Sequence, residues 1–163
     1  MKSDVLEAIR AFLNERGVPF EEMRHAPTYT SEEASAARNE PLKIGGKAIV
    51  AKVGKDFAVF VLSGARRLNS RAICKHLGQT RFRFATRDEL QAMTGLTPGC
   101  VPPFGRPLLP LPLYVDRSVV ANERIAFNAG SHTVSMILDR EDYLASAEPV
   151  EIFDFSRPRG VRL

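Results

Sequence analysis

The nine residues GCVPPFGRP, numbers 99–107, restrict the fold of this chain more than any other stretch. Two glycines and three prolines surround Cys100, Val101, Phe104 and Arg106. Such a run cannot be a helix interior, and its prolines cannot donate to a sheet ladder. It must be a stiff loop carried by the elements on either side. Gly99 permits an unusual backbone turn. Pro102 and Pro103 then hold the chain extended. The amides of Gly99, Cys100 and Val101 can point together at an oxygen, as amide clusters do for anions and developing oxyanions. A surface turn without a ligand fits the same residues.

Around this loop the sequence alternates between helical and extended patterns. Val5, Ala8, Ile9, Phe12 and Leu13 recur at helical spacing after Ser3, a candidate cap, and Gly17 stops the run. A short extended segment ends near His25. Thr30 to Glu33 reads as a capping box, so a second helix follows through Ala34 and Ala37. Residues 41–46 read as a loop. Residues 47–53 and 57–62 read as strands joined at Gly54, Lys55 and Asp56. Asn69 or Ser70 caps a helix ending at Gly78. Residues 81–84 alternate as a strand does, and Thr86 with Glu89 opens another helix that stops at Gly95. Residues 113–115 form a short strand ending at Asp116, which either bonds a loop amide or caps the next element. Residues 125–127 and 133–138 flank a turn at 128–131. A last helix starts near Asp139 and Asp142, and residues 150–153 form a final strand. Short strands with irregularly interleaved helices predict an α+β fold rather than a doubly wound sheet. No domain boundary is visible, and only the residues from about 157 read as a loose tail.

The 163 residues suffice for one domain with its own core, and 44% hydrophobic content excludes a disordered chain. No apolar run approaches the ~20 residues of a membrane span, so no membrane partner is expected. The N-terminal MKSDVLEAIR lacks a secretory signal's apolar segment. Cys74 and Cys100 make no disulfide framework, which reads as a reducing cytoplasm. Lysine plus arginine number 23 against 19 acids, a net charge of +4. The bias is concentrated: Arg66, Arg67, Arg71, Lys75, Arg81, Arg83 and Arg87 crowd one region, and Arg157, Arg159 and Arg162 decorate the tail. Such patches neutralise phosphates, although a solvated basic surface has the same composition.

The chain contains no phosphate-binding glycine loop, dinucleotide fingerprint, zinc-protease helix or serine elbow. His25, His76 and His132 stand far apart, and none has metal-ligand spacing to another histidine or a cysteine, so no metal is predicted. A nucleophile pair of Cys100 with His25 or His132 is conceivable, and spacing neither supports nor excludes it.

Four landmarks, in order, resemble the YbaK/EbsC family of aminoacyl-tRNA deacylases, relatives of the editing domain inserted in bacterial prolyl-tRNA synthetase. They are His25 followed by TYTSEEA, then Gly46-Lys47-Ala48-Ile49-Val50, then GCVPPFG with a strand ending in Asp116, then Phe127-Asn128-Ala129-Gly130-Ser131-His132. The resemblance runs over residues 5–156. It implies one editing domain over residues 1–156 with a basic tail at 157–163, and a mixed, partly closed β-barrel with helices packed outside. It implies trans-acting hydrolysis of the ester between a wrong amino acid and the tRNA 3′ end. The implied catalytic residues are Lys47, on the terminal adenosine's phosphate, and Gly99, Cys100, Val101 and Pro103, whose loop holds the aminoacyl carbonyl. A water, helped by the substrate's own ribose hydroxyl, would attack, with no cofactor or metal. His25, Asn128, Gly130, Ser131 and His132 would bind substrate. Partners would be aminoacyl-tRNA, through its 3′ end and acceptor stem, and an aminoacyl-tRNA synthetase. Ala48 stands where many relatives have threonine, and Cys100 where Gly or Ala is common. A non-catalytic tRNA- or synthetase-binding module of the same fold is the alternative. A cysteine-dependent hydrolase built on Cys100 is a third reading.

Overall fold

The computed structural model describes residues 5–160, so Ser3 and Arg162 lie outside the described residues. The elements follow in chain order. Helix α1 (Val5–Glu15) leads to β1 (Glu21–Arg24) and α2 (Ser31–Arg38). A 3₁₀ turn at Leu42–Ile44 precedes the long hairpin of β2 (Gly46–Val53) and β3 (Asp56–Ser63). Then come β4 (Arg66–Leu68), α3 (Ser70–Leu77), β5 (Phe82–Phe84) and α4 (Arg87–Thr94). After the proline-rich loop come β6 (Leu113–Asp116), α5 (Arg117–Val120), β7 (Arg124–Asn128) and β8 (Val134–Asp139). The chain closes with α6 (Arg140–Ala147), β9 (Glu151–Phe153) and β10 (Ser156–Pro158).

Local chemistry sets the helix ends. Thr30 and Thr86 each accept from the amide three residues on, and Glu33 and Glu89 bond back to them, so both expected capping boxes form. Asn69 caps α3 through Ala72 N–H.

The hairpin is the spine of a five-stranded mixed sheet, ordered β5-β2-β3-β6-β9. β2 runs antiparallel to β3 and β5, whereas β3, β6 and β9 are mutually parallel. A three-stranded antiparallel sheet, β1-β8-β7, lies beside it. The fold is therefore α+β with mixed sheets. The partly closed barrel expected from the resemblance does not form as one sheet. Among the described residues β5 pairs only with Ala51, Lys52 and Val53 of β2, and a single parallel bridge, Gly45 to Ala126, links the two sheets. The first half of β2 thus keeps an open edge.

The largest core cluster joins α1 to both sheets through Ile9, Phe12, Leu13, Val59, Val115 and Phe127. Phe104 is its centre and the anchor of the proline-rich loop. It is buried, with edge-on ring contacts to Phe12, Phe127 and Tyr143 at centroid distances of 5.9, 5.6 and 5.6 Å. The Tyr143 hydroxyl donates to the Pro103 carbonyl at 2.6 Å, and burial raises its pKa.

Three short elements escape the sequence patterns: β4, α5 and β10. β10 pairs with β4, Ser156 opposite Leu68 and Pro158 opposite Arg66. The tail read as loose from residue 157 is therefore pinned at Arg157 and Pro158. Asp116 both caps and ties. It accepts from Ser118 N–H at 3.1 Å, from Phe155 N–H at 2.6 Å and from the Ser156 hydroxyl at 2.6 Å.

Candidate active site

A pocket of about 520 Å³ opens along the free edge of β2. Its walls are the start of α2, β2 from Gly46 to Val50, the residues Pro98, Gly99 and Val101, and Asn128, Phe84 and Arg159. Four of the predicted residues, Lys47, Gly99, Val101 and Asn128, line it. Cys100, Pro103, His25, Gly130, Ser131 and His132 do not line it.

Lys47 sits half-buried on β2, opposite Leu62 of β3. Its ammonium donates to the Arg66 carbonyl at 3.0 Å. Burial, then the charges of Arg159 and Arg67, lower its pKa, and Glu32 opposes them. Arg159 reaches this place because β10 is paired, and it bonds Glu32 at 2.6 Å. A compact ammonium flanked by two arginines is a phosphate-binding arrangement.

The loop and the turn, about 30 residues apart in sequence, are joined directly. Asn128 donates from Nδ2 to the Gly99 carbonyl at 2.8 Å, and Gly130 N–H donates to the Cys100 carbonyl at 3.0 Å. The His132 ring packs on Gly99 so closely that a Cβ there would meet its Cε1 at 3.0 Å. Gly99 also has φ +89°, so only glycine meets both demands without strain. His132 Nδ1 donates to the Thr28 carbonyl at 2.9 Å, and its ring lies 4.6 Å from that of Tyr29. Ser131 bonds Thr133 within the turn.

The three loop amides are not equivalent. Cys100 N–H donates to the Thr97 carbonyl at 3.1 Å, so that amide is spent inside the loop. Gly99 N–H and Val101 N–H have no acceptor among the described residues. The expected three-amide cradle reduces to two available donors. The Cys100 thiol is buried beside the Thr97 hydroxyl at 3.5 Å, and burial pushes its pKa up. Neither His25 nor His132 is hydrogen-bonded to it: the ring nitrogens of His25 bond Ala26 and Ser135, and those of His132 bond Thr28 and the same Thr97 hydroxyl, which stands between imidazole and thiol. A buried, protonated thiol with no base in direct contact is a poor nucleophile, so the geometry weakens the cysteine-hydrolase reading.

The sequence reading missed Arg38. It ends α2, is only 9% exposed, and lines the pocket. Its Nε donates to Ser135 Oγ at 2.9 Å and its Nη2 to Asn128 Oδ1 at 3.1 Å. His25 Nε2 is hydrogen-bonded to the same serine hydroxyl at 2.7 Å, so His25 is linked to Arg38 through Ser135. An arginine in a polar helix looks solvated from sequence alone. Only contact with Ser135 and Asn128, remote in the chain, buries it. The aromatic walls were also missed: Tyr29 and Phe84 are 68% and 58% exposed, although both are large and apolar.

Among the described residues no three His, Cys, Asp or Glu side chains assemble as a metal-binding group. No helix among them is long and apolar enough to cross a membrane.

Comparison with known proteins places the chain in a family. Residues 25–145 match the family model described as "Aminoacyl-tRNA editing domain". The "Multifunctional Ser/Thr-tRNA deacylase ProXp-y" of Escherichia coli K12 is 32% identical over 155 residues, covering 90% of each chain. The "Prolyl-tRNA editing protein ProX" of Acetoanaerobium sticklandii is 24% identical over 147 residues, covering 87% of this chain and 90% of its own. A crystal structure described as a candidate trans-editing enzyme for prolyl-tRNA synthetase superposes with a TM-score of 0.80 at 25% identity, over 98% of this chain and all of that one. With its pocket, loop and turn in place, this chain belongs to the aminoacyl-tRNA editing domain family.

Proposed function

We propose that the pocket is the catalytic centre of an editing deacylase that hydrolyses the ester of mischarged aminoacyl-tRNA in trans. One observation carries the reading: the loop with two unspent amides is locked to the Asn128–Gly130 turn, on the pocket that Lys47 also lines. In the reaction a water oxygen bonds to the ester carbonyl carbon, and the carbonyl electron pair moves onto its oxygen. Collapse of that intermediate breaks the bond to the ribose oxygen. The ribose oxygen takes up a proton originating from the water. The amino acid leaves as a carboxylate and releases the remaining proton.

Gly99 N–H and Val101 N–H stabilise the oxyanion, each such donor being worth about 3 kcal/mol in acyl transfer. Lys47 holds the terminal adenosine's phosphate. The neighbouring ribose hydroxyl orients the water, so the protein supplies position and field rather than a nucleophile. Pro103 and Cys100 set the loop's course, through Tyr143 and Thr97 respectively. His25, Gly130, Ser131 and His132 hold the pocket's frame. Tyr29 and Phe84 offer faces on which the unpaired bases of the tRNA 3′ end stack, and the basic surface near Arg67 tracks the acceptor stem.

Serine and threonine are the first amino acids to test, because the E. coli relative is named for them. The cytoplasm is where such a substrate is met, and a synthetase that makes the error is the natural partner. The test is multiple turnover. Substoichiometric protein is incubated with mischarged tRNA, and ester loss beyond one equivalent per protein is expected. Retained tRNA binding with no turnover would replace the enzyme by a binding module of the same fold.

A further inference from the structure

Arg38 presents a physical anomaly. The residue is about nine-tenths buried, yet none of the ion pairs among the described residues includes it. Burial alone pulls its pKa down, to about 10, with no acid to offset the effect, and it stays charged at neutral pH. Burying an unpaired charge is among the most costly arrangements a fold can hold. The α2 C-terminus offers partial compensation through the helix dipole. Two neutral acceptors, Ser135 and Asn128, satisfy one edge of the fork. Nη1 has no partner among the described residues and is not sealed from solvent. A Cβ at Gly45 would stand 3.6 Å from it, and that glycine lines the pocket.

Two observations say which substrate atom this cation meets. Arg38 Nη1 stands 3.6 Å from where a Cβ at Gly45 would be, whereas the Lys47 ammonium bonds the Arg66 carbonyl, so the two cations lining the pocket have different neighbours. Asn128 accepts from Arg38 through Oδ1 and donates through Nδ2 to the Gly99 carbonyl, so one side chain fixes guanidinium and loop relative to each other. We propose that Arg38 is a catalytic residue whose free Nη1 edge, with Gly99 N–H and Val101 N–H, receives the oxyanion formed as the ester carbonyl is attacked. The inference rests on the deacylase reading. Negative charge appears on that oxygen only when the water–carbon bond forms, so a prepositioned cation beside it lowers the barrier rather than tightening substrate binding.

The experiment compares wild type, Arg38→Gln and Arg38→Lys on tRNAs carrying several amino acids. It also measures binding of two non-hydrolysable aminoadenosine analogues, a planar amide and a tetrahedral anionic phosphonate. Arg38→Gln is expected to lower kcat about 10²- to 10³-fold on every amino acid, with KM within about threefold. Arg38→Lys, which keeps charge but loses the fork, is expected to lose about tenfold. The wild type should prefer the phosphonate, and Arg38→Gln should lose that preference. Unchanged kcat overturns the proposal. So does a loss confined to amino acids with a side-chain oxygen, which would make Arg38 a reader of that side chain. Thermal melting checks folding. If Arg38→Gln does not fold, kcat and phosphonate preference of Arg38→Lys decide. A wild type that hydrolyses nothing would instead sink the deacylase reading itself.

Discussion

Lys47 acts in a crowded cationic setting, and that has a pH signature. Burial and the arginines at 159 and 67 depress its pKa, so in the free protein it loses its proton below the ordinary lysine range. The protonated form binds phosphate. Affinity for uncharged tRNA should therefore fall as pH rises through the depressed value. Lys47→Arg should remove that alkaline limb, which a binding titration against pH would read. The linkage to folding has the opposite sense. Between the depressed value and that of an unfolded lysine, the unfolded chain holds more protons, so this group's contribution to stability rises with pH there. Cys100 makes a second prediction at this scale. Because its thiol is buried and held protonated, Cys100→Ala should keep the deacylation rate within about threefold, where a nucleophile would lose orders of magnitude.

Among the elements, α2 matters most, because it carries Glu32 near one end and Arg38 at the other. Thr30→Ala removes the side-chain half of its capping box and should cost about 1 kcal/mol, read as a lower melting temperature. Elements like this one were legible in the sequence because their signals are local. A threonine and a glutamate three residues apart, a hairpin with its turn at Gly54, and glycines at helix ends all act within a few residues. β4, β10 and α5 were not legible. They are three or four residues long, and contacts from distant parts of the chain hold them: Ser156 lies opposite Leu68, and Asp116 reaches to Phe155. The same reason explains the site. Its loop and its lysine could be read from residue types and order. Arg38 could not, because its burial depends on Ser135, and neither could the spending of the Cys100 amide on Thr97.

On the scale of the whole molecule, the fold brings three stretches to one pocket: the edge of β2, the proline-rich loop and the β7–β8 turn. The stiffness of residues 99–107 is put to use here. Phe104 pins the loop into the core while Asn128 and Gly130 fix its carbonyls. The basic surface contributes less uniformly than composition suggests, since Arg83 is held by Glu89 at 2.7 Å and Arg66 by Ser156 at 2.6 Å. If Lys47 and Arg67 meet two phosphates, Arg159 being held by Glu32 at 2.6 Å, raising salt from about 50 to about 200 mM should weaken tRNA binding roughly 7- to 12-fold. A salt-independent affinity would remove them from that role. Hydrolysis of a mischarged aminoacyl-tRNA is the reaction we assign to this pocket. Its most direct test sets wild type beside Lys47→Ala on tRNAs carrying Ala, Ser, Cys, Thr and Pro, on matched and mismatched bodies. Rapid loss of one mischarged species is expected, serine or threonine first, abolished by the substitution. A flat panel, or a loss that Lys47→Ala leaves untouched, would contradict it.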